Sequence, residues 1–553
     1  MAKYAIGIDY GTLSARALIA EVGSGRELGE AVYEYRHAVM DETLPSGIKL
    51  KPDWALEHPD DYLEALSVTV PAAMKNAGVS KDDVIGIGID FTACTMVAVD
   101  KNGDPLCWKY PDNPHAYVKL WKHHAAQDQA NRLNAIAEER NEKFLARYGG
   151  KISSEWMFPK IWQVVEEDPD LYDEIDRFME AGDWVIMRMT GVEARNSCMA
   201  GYKAIWHKQD GYPSKEFFKA CHPKLENVVE EKLNTKIYPI GSKAGELTEE
   251  MAEKMGLNPG VAVAVANVDA HVSLPPAGLT KKGQMLMIMG TSTCHIMLGD
   301  EEHIVPGMCG VVEDGVIPAL MGYEAGQSCV GDHFNWFADN CVPEDYMIKA
   351  REKGMNAHQY LTSLCENQKP GENGLLALDW WNGNRSVLVD VDLTGMIMGM
   401  TLTTKPEDMY RALIEATAYG TRVIVDTFEK SGVEIEGLYA CGGISQKNPF
   451  LMQVYADVLK REIRIARSTQ TPALGSAMFG AVAAGADKGG YDSIEDAANE
   501  MGGTLPIVYK PIPAHSAIYD KLYTEYRRLH DYFGRGANDV MKRLKEIKKD
   551  QNA

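Results

Sequence analysis

The chain has 553 residues, of which 45% are hydrophobic, and its formal net charge is -22. This length exceeds what a single hydrophobic core usually holds, so we expect two or more domains. The acidic balance argues against a general affinity for nucleic acid or for anionic membranes, and it favours an enzyme that acts on small molecules.

The N-terminal stretch 4–22 alternates apolar residues around a tight turn, and it is predicted to form a strand, a turn and a second strand. Asp9 ends the first strand, Gly11 and Thr12 form the turn, and Arg16 lies beyond it. Because a carboxylate arrives so early, a secretory leader is not expected.

A further apolar strand is predicted at 85–90, and it ends at Asp90. Its two glycines, Gly86 and Gly88, do not form a dinucleotide-binding fingerprint, because Phe91 stands where the third glycine is required and no helix begins there. No Gly-x-x-x-x-Gly-Lys-Ser/Thr loop occurs in the sequence. A phosphate group would therefore have to be held in another way.

Cysteine and histidine patterns do not predict a metal site. The ten cysteines include no Cys-x-x-Cys pair, so we expect neither a zinc ribbon nor a disulfide framework. The adjacent His123 and His124 lack a second cluster of ligands and are expected on the surface. The same cysteine pattern predicts a reducing compartment, and because no uncharged apolar run has transmembrane length, the protein is expected in the cytoplasm.

Two apolar strands in the middle of the chain each end in small or acidic residues. The first, at 263–268, is followed by Asp269, and ends of strands are where α/β proteins bind ligands. The second, which begins at 285, is interrupted by Gly290, Thr291 and Ser292, whose N–H and hydroxyl groups can approach phosphate oxygens. On the residues alone, Asp269 could equally cap a helix and Gly290 to Ser292 could equally be an ordinary turn.

Composition suggests where the domains divide. A turn-rich segment at 256–260 precedes the strand that leads to Asp269. Helical periodicity predicts a long helix at 406–430 and a helical C-terminal segment at 513–549 that packs against a domain. We therefore expect an N-terminal domain at 1–255, a C-terminal domain at 256–490 and a helical extension at 491–553.

The two Gly-Thr turns, in Asp9-Tyr-Gly-Thr12 and Gly290-Thr291, resemble those of actin-like ATPases. Within that superfamily, other segments are similar to the FGGY carbohydrate kinases, and these are 156–162, 181–191, 384–399 and 441–457. The resemblance implies an α/β protein in which two actin-like, or ribonuclease H-like, ATPase domains flank a cleft.

Other segments look like the members of that family that phosphorylate L-ribulose in arabinose catabolism, and these are 90–95, 121–124, 201–206, 323–328 and 379–383. This resemblance implies L-ribulose and ATP as substrates, with Mg²⁺ as cofactor. It implies no nucleic-acid or membrane partner and leaves a homodimer open.

The family also implies roles for individual residues. Asp269 would be the general base on the C5 hydroxyl, and Asp9 would position Mg²⁺. Contacts to the nucleotide would come from Gly11, Thr12 and Arg16 around the transferred phosphate, from Gly290, Thr291 and Ser292 at the other phosphates, and from Gly442, Gly443 and Asn448 at the adenosine.

The sugar ligands implied by the resemblance are Ala93, Lys203 and Glu324, together with Asp269. Without the resemblance, Lys203 could equally extend outward to water and Glu324 could equally be an acid at a helix N-terminus. The substrate could also be another ketopentose or a polyol, such as D-ribulose or ribitol. A further alternative is an actin-like ATPase without a sugar substrate.

Overall fold

Two mixed sheets of seven strands each form the framework of the computed structural model, which describes residues 2–552. The first contains, in spatial order, Lys243–Glu246, Ala262–Ala264, Val84–Phe91, Tyr4–Tyr10, Ser14–Glu21 and Glu27–Glu34, with Asn267–Val268 also paired to Val84–Phe91. The second contains, in spatial order, Gly310–Glu313, Met321–Gln327, Thr293–Gly299, Gln284–Met289, Gly437–Cys441, Ile463–Ala466 and Thr504–Tyr509.

The two sheets repeat one topology. Tyr4–Tyr10 pairs antiparallel with the strand that follows it and parallel with Val84–Phe91, which comes after a helix. Gln284–Met289 has the same relation to the strand that follows it and to Gly437–Cys441. The predicted α/β architecture of two related, actin-like halves is confirmed.

Smaller sheets enlarge each half. A four-stranded sheet consists of Leu56–Glu57, Val118–Lys119, Met96–Val99 and Arg177–Glu180, and two-stranded sheets consist of Arg195–Asn196 with Ile237–Tyr238 and of Leu376–Leu378 with Met396–Met398. The four-stranded sheet lies in a separate hydrophobic core that residues between 40 and 233 build. We call the first large sheet with this core the first lobe, and the second large sheet with its helices the second lobe.

The helices cover both lobes. Those that precede the second sheet in the chain are Pro59–Ala77, Gln127–Glu139, Phe144–Arg147, Met157–Glu167, Pro169–Glu174, Ala181–Thr190, Ser197–Lys203, Lys215–Cys221, Val228–Lys232 and Glu249–Met255. The others are Gly331–Asn340, Glu344–Glu352, Ala357–Cys365, Pro406–Lys430, Gly443–Lys447, Pro449–Leu459, Thr471–Ala484, Ile494–Met501, Pro513–Gly534 and Val540–Asn552. No helix within 2–552 is long and apolar enough to cross a membrane.

The domain boundary expected at 255/256 divides the first sheet. Ala262–Ala264 and Asn267–Val268 both pair in parallel with Val84–Phe91, although the sequence assigned them to the second domain. The turn-rich segment misled this assignment, because its Gly256 only ends a helix in the left-handed conformation, with φ of 65°. The chain then returns to the sheet it had left.

The C-terminal segment adds both a strand and helices to the second lobe. Thr504–Tyr509 pairs with Ile463–Ala466 at the edge of the sheet. The helix expected at 513–549 is divided into two, whereas Pro406–Lys430 begins and ends as predicted. Hydroxyl groups of buried tyrosines on Pro513–Gly534 donate to acids elsewhere in the lobe, for example Tyr526 to Asp379 at 3.0 Å.

One helix of the C-terminal half packs on the sheet of the first lobe. Thr471–Ala484 approaches Tyr4–Tyr10 and Val84–Phe91 backbone to backbone, and a Cβ added at Gly7, Gly86 or Gly88 would lie within 2.0 Å of a helix carbonyl oxygen. Glycine is needed at these strand positions because no side chain fits in that gap. The Gly86 and Gly88 pair therefore serves packing between helix and sheet.

The expectation of a surface position is wrong for His123. Its ring is fully buried, with Nε2 2.9 Å from Gln163 Oε1, and its Nδ1 accepts from the Ala55 N–H at 3.3 Å. His124 has a half-exposed side chain, as expected. Within residues 2–552 no group of three or more potential ligands is arranged to hold a metal ion.

Candidate active site

Three carboxylates from different strands of the first sheet meet at one edge. Asp9 and Asp90 are register partners on neighbouring parallel strands. The Asp269 N–H donates to the Phe91 carbonyl at 3.1 Å, which places Asp269 beside the same pair. Parallel strands end at the same edge of a sheet, so acids far apart in the sequence come together.

Burial favours the protonated forms of these acids, and repulsion by neighbouring acids adds to the effect at Asp90 and Asp269. Burial raises the pKa of Asp269 to about 7, and the nearby charges of Asp9 and Glu324 add to the effect. Burial also raises the pKa of Asp90, whose Oδ2 accepts from the Ser476 hydroxyl at 2.6 Å. The pKa of Asp9 is raised by burial and lowered by its contact with Asp90 and by Arg16.

The hairpin that follows Asp9 carries the other residues predicted at the transferred phosphate. Gly11 N–H donates to Ser14 O at 3.0 Å and closes the turn, and Arg16 is the cross-strand partner of Asp9. The Thr12 hydroxyl accepts from Trp121 Nε1 at 3.0 Å. The Arg16 guanidinium donates to the Gln470 amide oxygen.

The second lobe has a matching hairpin between Gln284–Met289 and Thr293–Gly299. Its turn consists of Gly290, Thr291 and Ser292, and Gly290 N–H donates to Ser292 O at 2.9 Å. The turn is exposed at Gly290 and Thr291. Helix Gly331–Asn340 begins on this turn, because its first N–H donates to Gly290 O at 3.0 Å.

The residues predicted at the adenosine lie on the strand next to this hairpin. Gly437–Cys441 pairs with Gln284–Met289 and leads into Gly442. Glycine is required at this position because its φ is 92° and because an added Cβ would lie 2.4 Å from Met289 O. Gly443 is exposed and faces open space. Asn448 Oδ1 already accepts from Leu451 N–H at 3.0 Å, because it caps the following helix.

A buried group of charged side chains lies where the two lobes meet. Lys203 Nζ of the first lobe is 3.0 Å from Glu324 Oε2 of the second lobe. Arg385 also forms an ion pair with Glu324, and His271 Nε2 lies 3.4 Å from it. The Lys203 ammonium stands 5.5 Å from the centre of the Trp156 ring.

This group settles two alternatives that the sequence left open. Lys203 does not extend outward to water, since only 4% of its surface is exposed. Glu324 lies within the strand Met321–Gln327 and not at a helix N-terminus. Burial alone would raise the pKa of Glu324, but Lys203 and Arg385 hold that pKa well below its usual range.

The loop with Ala93 is fixed from behind by a second buried lysine. Cys94, the next residue, has φ of 55°, a left-handed conformation that is uncommon for residues other than glycine. Lys160 Nζ donates to Cys94 O and to Leu120 O, both at 2.8 Å. These contacts hold the backbone of Ala93, which is partly exposed, in one position.

Asp90 and Arg385 were not among the predicted site residues. A repeated phrase could have pointed to Asp90, because Ile6-Gly-Ile-Asp9 recurs as Ile87-Gly-Ile-Asp90. For Arg385 the only signal in the sequence is Gly326, a glycine within a predicted site segment. An added Cβ at Gly326 would lie 3.0 Å from the Arg385 side chain, so this strand glycine leaves room for the arginine.

Two family models match this arrangement. Residues 4–274 match the N-terminal domain of the FGGY family of carbohydrate kinases, and residues 285–484 match its C-terminal domain. The chain belongs to the FGGY family of carbohydrate kinases. The gap between the two matches follows Asp269, which agrees with the strand pairings and places this residue in the N-terminal FGGY domain.

Relatives of this FGGY kinase are similar over their whole length. A ribulokinase of Halalkalibacterium halodurans is 60% identical and is aligned over 100% of this chain and 98% of the relative. A ribulokinase of Mycolicibacterium smegmatis is 50% identical, over 99% of this chain and 96% of the relative. At these identities and coverages the chain is an enzyme of the same kind, a sugar kinase.

Solved structures agree on the fold of the FGGY kinase. The xylulose kinase from Rhodospirillum rubrum superposes with a TM-score of 0.77 at 22% identity and covers 96% of this chain and 98% of its own. A gluconate kinase from Lactobacillus acidophilus reaches 0.80 at 16% identity, with coverages of 97% and 99%. At such identities the likeness concerns the fold.

Proposed function

We propose that this kinase transfers the γ-phosphoryl group of ATP to the C5 hydroxyl of L-ribulose, which yields L-ribulose 5-phosphate for L-arabinose catabolism. The observation that supports the proposal is the buried Lys203 and Glu324 pair, with a 3.0 Å contact, which lies close enough to Asp269 for both charges to act on the pKa of that carboxyl. A cation and an anion held side by side can donate to and accept from the hydroxyls of a neutral sugar. Full-length relatives named ribulokinase support this choice of sugar.

Asp269 acts as general base in this proposal. Its Oδ1 accepts from the Ala270 N–H at 2.6 Å, which orients the carboxylate. Because the proton leaves late in a loose phosphoryl-transfer transition state, the base chiefly aligns the attacking hydroxyl. A pKa near 7 lets the carboxylate be ionised at slightly alkaline pH and still accept a proton readily.

The phosphates of ATP are held from both lobes. Arg16 supplies a positive charge beside Asp9, and the backbone of the Gly11 and Thr12 turn lies next to it. The exposed turn at Gly290 and Thr291 supplies N–H groups from the opposite side. Fixed donors on two sides can stabilise the charge that develops on the transferred group.

The carboxylates fit a hydrated Mg²⁺ bound together with ATP. Asp9 is partly exposed at the edge of the sheet, and the buried Oδ1 of Asp90 has no hydrogen-bond partner within 2–552. Mg²⁺ favours oxygen ligands and keeps several waters, so one carboxylate with phosphate oxygens is enough. When bound there, the ion would neutralise charge on the phosphates, and Asp9 would hold it in place.

Initial rates of ADP release with a panel of sugars test the substrate. We expect the largest kcat/KM with L-ribulose, smaller values with D-ribulose and ribitol, and little release of ADP without sugar. A higher kcat/KM with another ketopentose or a polyol would replace L-ribulose as substrate and leave the kinase reaction standing. Equal ADP release with and without sugar would instead favour an actin-like ATPase that uses water as the acceptor.

A further inference from the structure

The side chain of Tyr202 crosses from the first lobe into a slot in the second. Its ring is fully buried, and three glycines of the second lobe surround it. A Cβ added at Gly310, Gly315 or Gly322 would lie 3.0 Å, 2.8 Å or 2.5 Å from a Tyr202 atom. The ring therefore occupies a space that side chains at these three positions would narrow.

Backbone conformation does not explain these glycines. Within 2–552, none of Gly310, Gly315 and Gly322 is among the glycines with positive φ, so other residues could adopt their backbone angles. Gly310 and Gly322 also lie in strands, where glycine weakens the sheet because it has no side chain to pack. Room for the Tyr202 ring is the structural reason that remains at Gly310. At Gly315 and Gly322 the ring shares this role with Val312 and Val316, which an added Cβ would approach to 2.8 Å and 2.4 Å.

The slot belongs to the same strands as the proposed sugar ligand Glu324. Gly310 is the register partner of Glu324, and Gly322 precedes Glu324 by two residues on the same face of the strand. On the other side, Tyr202 is followed directly by Lys203. Insertion of the ring thus fixes the distance between the lysine of one lobe and the glutamate of the other.

Tyr202 also contacts the segment with the proposed base. Its ring centre lies 4.2 Å from that of His271, which follows Asp269 by two residues. Further contacts between the lobes surround the slot, for example from the Ser197 hydroxyl to Asp314 O at 2.7 Å. At Gly201, an added Cβ would lie 2.3 Å from Val312 Cγ1, so the helix with Gly201 and the strand with Val312 are in close contact here as well.

We propose that Tyr202 is a positioning residue, a fixed joint that holds the sugar ligands of the two lobes in register. The proposal deepens the proposed function and rests on it, because its kinetic consequence concerns the KM for ketopentose.

A double-mutant cycle between Tyr202 and Gly310 tests the joint. Tyr202→Ala empties the slot, and Gly310→Ala shifts the ring by a few tenths of an ångström, since the added Cβ would lie 3.0 Å from Tyr202 Cδ1. We expect Tyr202→Ala to raise the KM for L-ribulose about tenfold and Gly310→Ala to raise it about threefold, because displacements of binding groups cost affinity. The KM for ATP should stay nearly unchanged in both. In the double variant the two effects should not multiply.

Two further variants serve as controls. Tyr202→Phe keeps the ring and removes a hydroxyl that has no partner within 2–552. Its KM for L-ribulose should therefore equal that of the wild type, in contrast to Tyr202→Ala. Gly23→Ala adds a Cβ that meets nothing within 4 Å and should change neither KM. Thermal unfolding of every variant shows which of them are folded, and Gly310→Ala supplies the test if Tyr202→Ala does not fold.

Hydrogen exchange of the free enzyme gives a measurement that needs no sugar. We expect Gly310→Ala to speed exchange of amides at 310–327 in the wild-type background and to have a much smaller effect beside Tyr202→Ala. If the effects of the two substitutions on KM and on exchange are independent, the proposed role of Tyr202 is overturned. If the wild type phosphorylates no ketopentose, the proposed function fails, while the exchange experiment still decides whether Tyr202 couples the lobes.

Discussion

The two large sheets share one strand order but differ in chemistry at the ends of their central strands. In the first lobe these ends carry Asp9, Asp90 and Asp269, whereas in the second lobe the equivalent ends lead into Gly290 and Gly442. Carboxylates can hold a cation and accept a proton, and glycines bring backbone N–H groups close to phosphates and a base. In the proposed function, a duplicated fold thus supplies two different halves of one reaction.

The difference also indicates which lobe controls which substrate. Acids near a phosphate would repel it, so the first lobe needs Arg16 for its proposed phosphate contacts, whereas the second lobe offers glycine turns with no acid at these positions. The sugar is neutral, and its proposed ligands come from both lobes, with Lys203 in one and Glu324 in the other. Changes at the carboxylates should therefore affect transfer, and changes at the glycines should affect ATP binding.

The largest effect is expected at the carboxylates. Asp269→Asn keeps the size of the side chain and removes the proton acceptor, so kcat should fall roughly a hundredfold or more. ATP should still bind, because its proposed contacts lie elsewhere. Steady-state kinetics with L-ribulose and equilibrium binding of ATP check both statements.

The exposed Asp487→Asn is a matched control that should retain wild-type kcat. If Asp269→Asn retains it as well, Asp269 is not the general base, and the contrast between an acidic lobe and a glycine lobe loses its catalytic meaning.

The next effect concerns the pair that joins the lobes. Lys203→Met removes charge-assisted hydrogen bonds worth about 1.5 to 3 kcal/mol, so the KM for L-ribulose should rise roughly tenfold to a hundredfold. The KM for ATP should stay close to the wild-type value. Since Glu324 remains paired with Arg385 in the variant, the protein should fold, with a lower melting temperature because a buried partner is lost.

Lys243→Met changes an exposed lysine of the same lobe that pairs only with Glu246 within 2–552, and it should alter neither KM. An equal rise of both KM values in Lys203→Met would argue for a general structural role of this lysine. Kinetics for both substrates, together with thermal scans, separate these outcomes.

The raised pKa of Asp269 predicts how activity depends on pH. Burial raises this pKa to about 7, and a general base acts only when it is ionised. Thus kcat/KM for L-ribulose should be constant at alkaline pH and should fall about tenfold for each pH unit below 7. A profile that stays flat down to pH 5.5 would mean that the base has an ordinary carboxylate pKa.

The raised pKa of Asp269 also makes stability depend on pH, and stability should fall with rising pH whereas activity should rise. Between the usual pKa of 3.8 and about 7, the folded state binds the proton of Asp269 and the unfolded state does not. Stability is therefore lost as pH rises through this window. Asp269→Asn removes that loss, so the variant should melt at a higher temperature than the wild type at pH 8, although it is inactive.

Much of the fold was predictable because it follows from local patterns. The hairpins at Asp9 and at Gly290 and the helix Pro406–Lys430 depend on periodicity and turn residues, and the structure confirms them. The boundary at 255/256 was not predictable in the same way. Strand pairing over long sequence distances decides it, and the turn-rich segment gave the opposite signal.

The candidate site shows the same limit. The positions of Asp9 and Asp269 at strand ends could be predicted from the sequence, and their roles in the site remain predictions. Arg385 and Tyr202 could not be predicted, because their meaning depends on Gly326 and Gly310, which lie on other strands. A glycine in a strand indicates close approach by some group, but only the tertiary structure identifies that group.

The smallest effect is expected in the glycine lobe, where two neighbouring glycines differ. At Gly442, φ of 92° and an added Cβ 2.4 Å from Met289 O make alanine costly, by about 1 to 3 kcal/mol of stability. At Gly443, an added Cβ meets nothing within 4 Å, and the residue begins a helix, which favours alanine. Only the second glycine can therefore test ligand contact without disturbing the fold.

Gly443→Ala should not lower the melting temperature. It should raise the KM for ATP a few-fold, which corresponds to about 1 kcal/mol of lost contact, because an adenine ring that lies flat on the backbone leaves no room for a methyl group. The KM for L-ribulose should not change, since its proposed ligands lie at the joint between the lobes. Thermal scans and kinetics for both substrates measure these quantities, with Gly442→Ala as the comparison that should lose stability. If Gly443→Ala changes neither the KM for ATP nor stability, the adenosine lies elsewhere. Gly442 is then required only by the backbone conformation at the end of the strand.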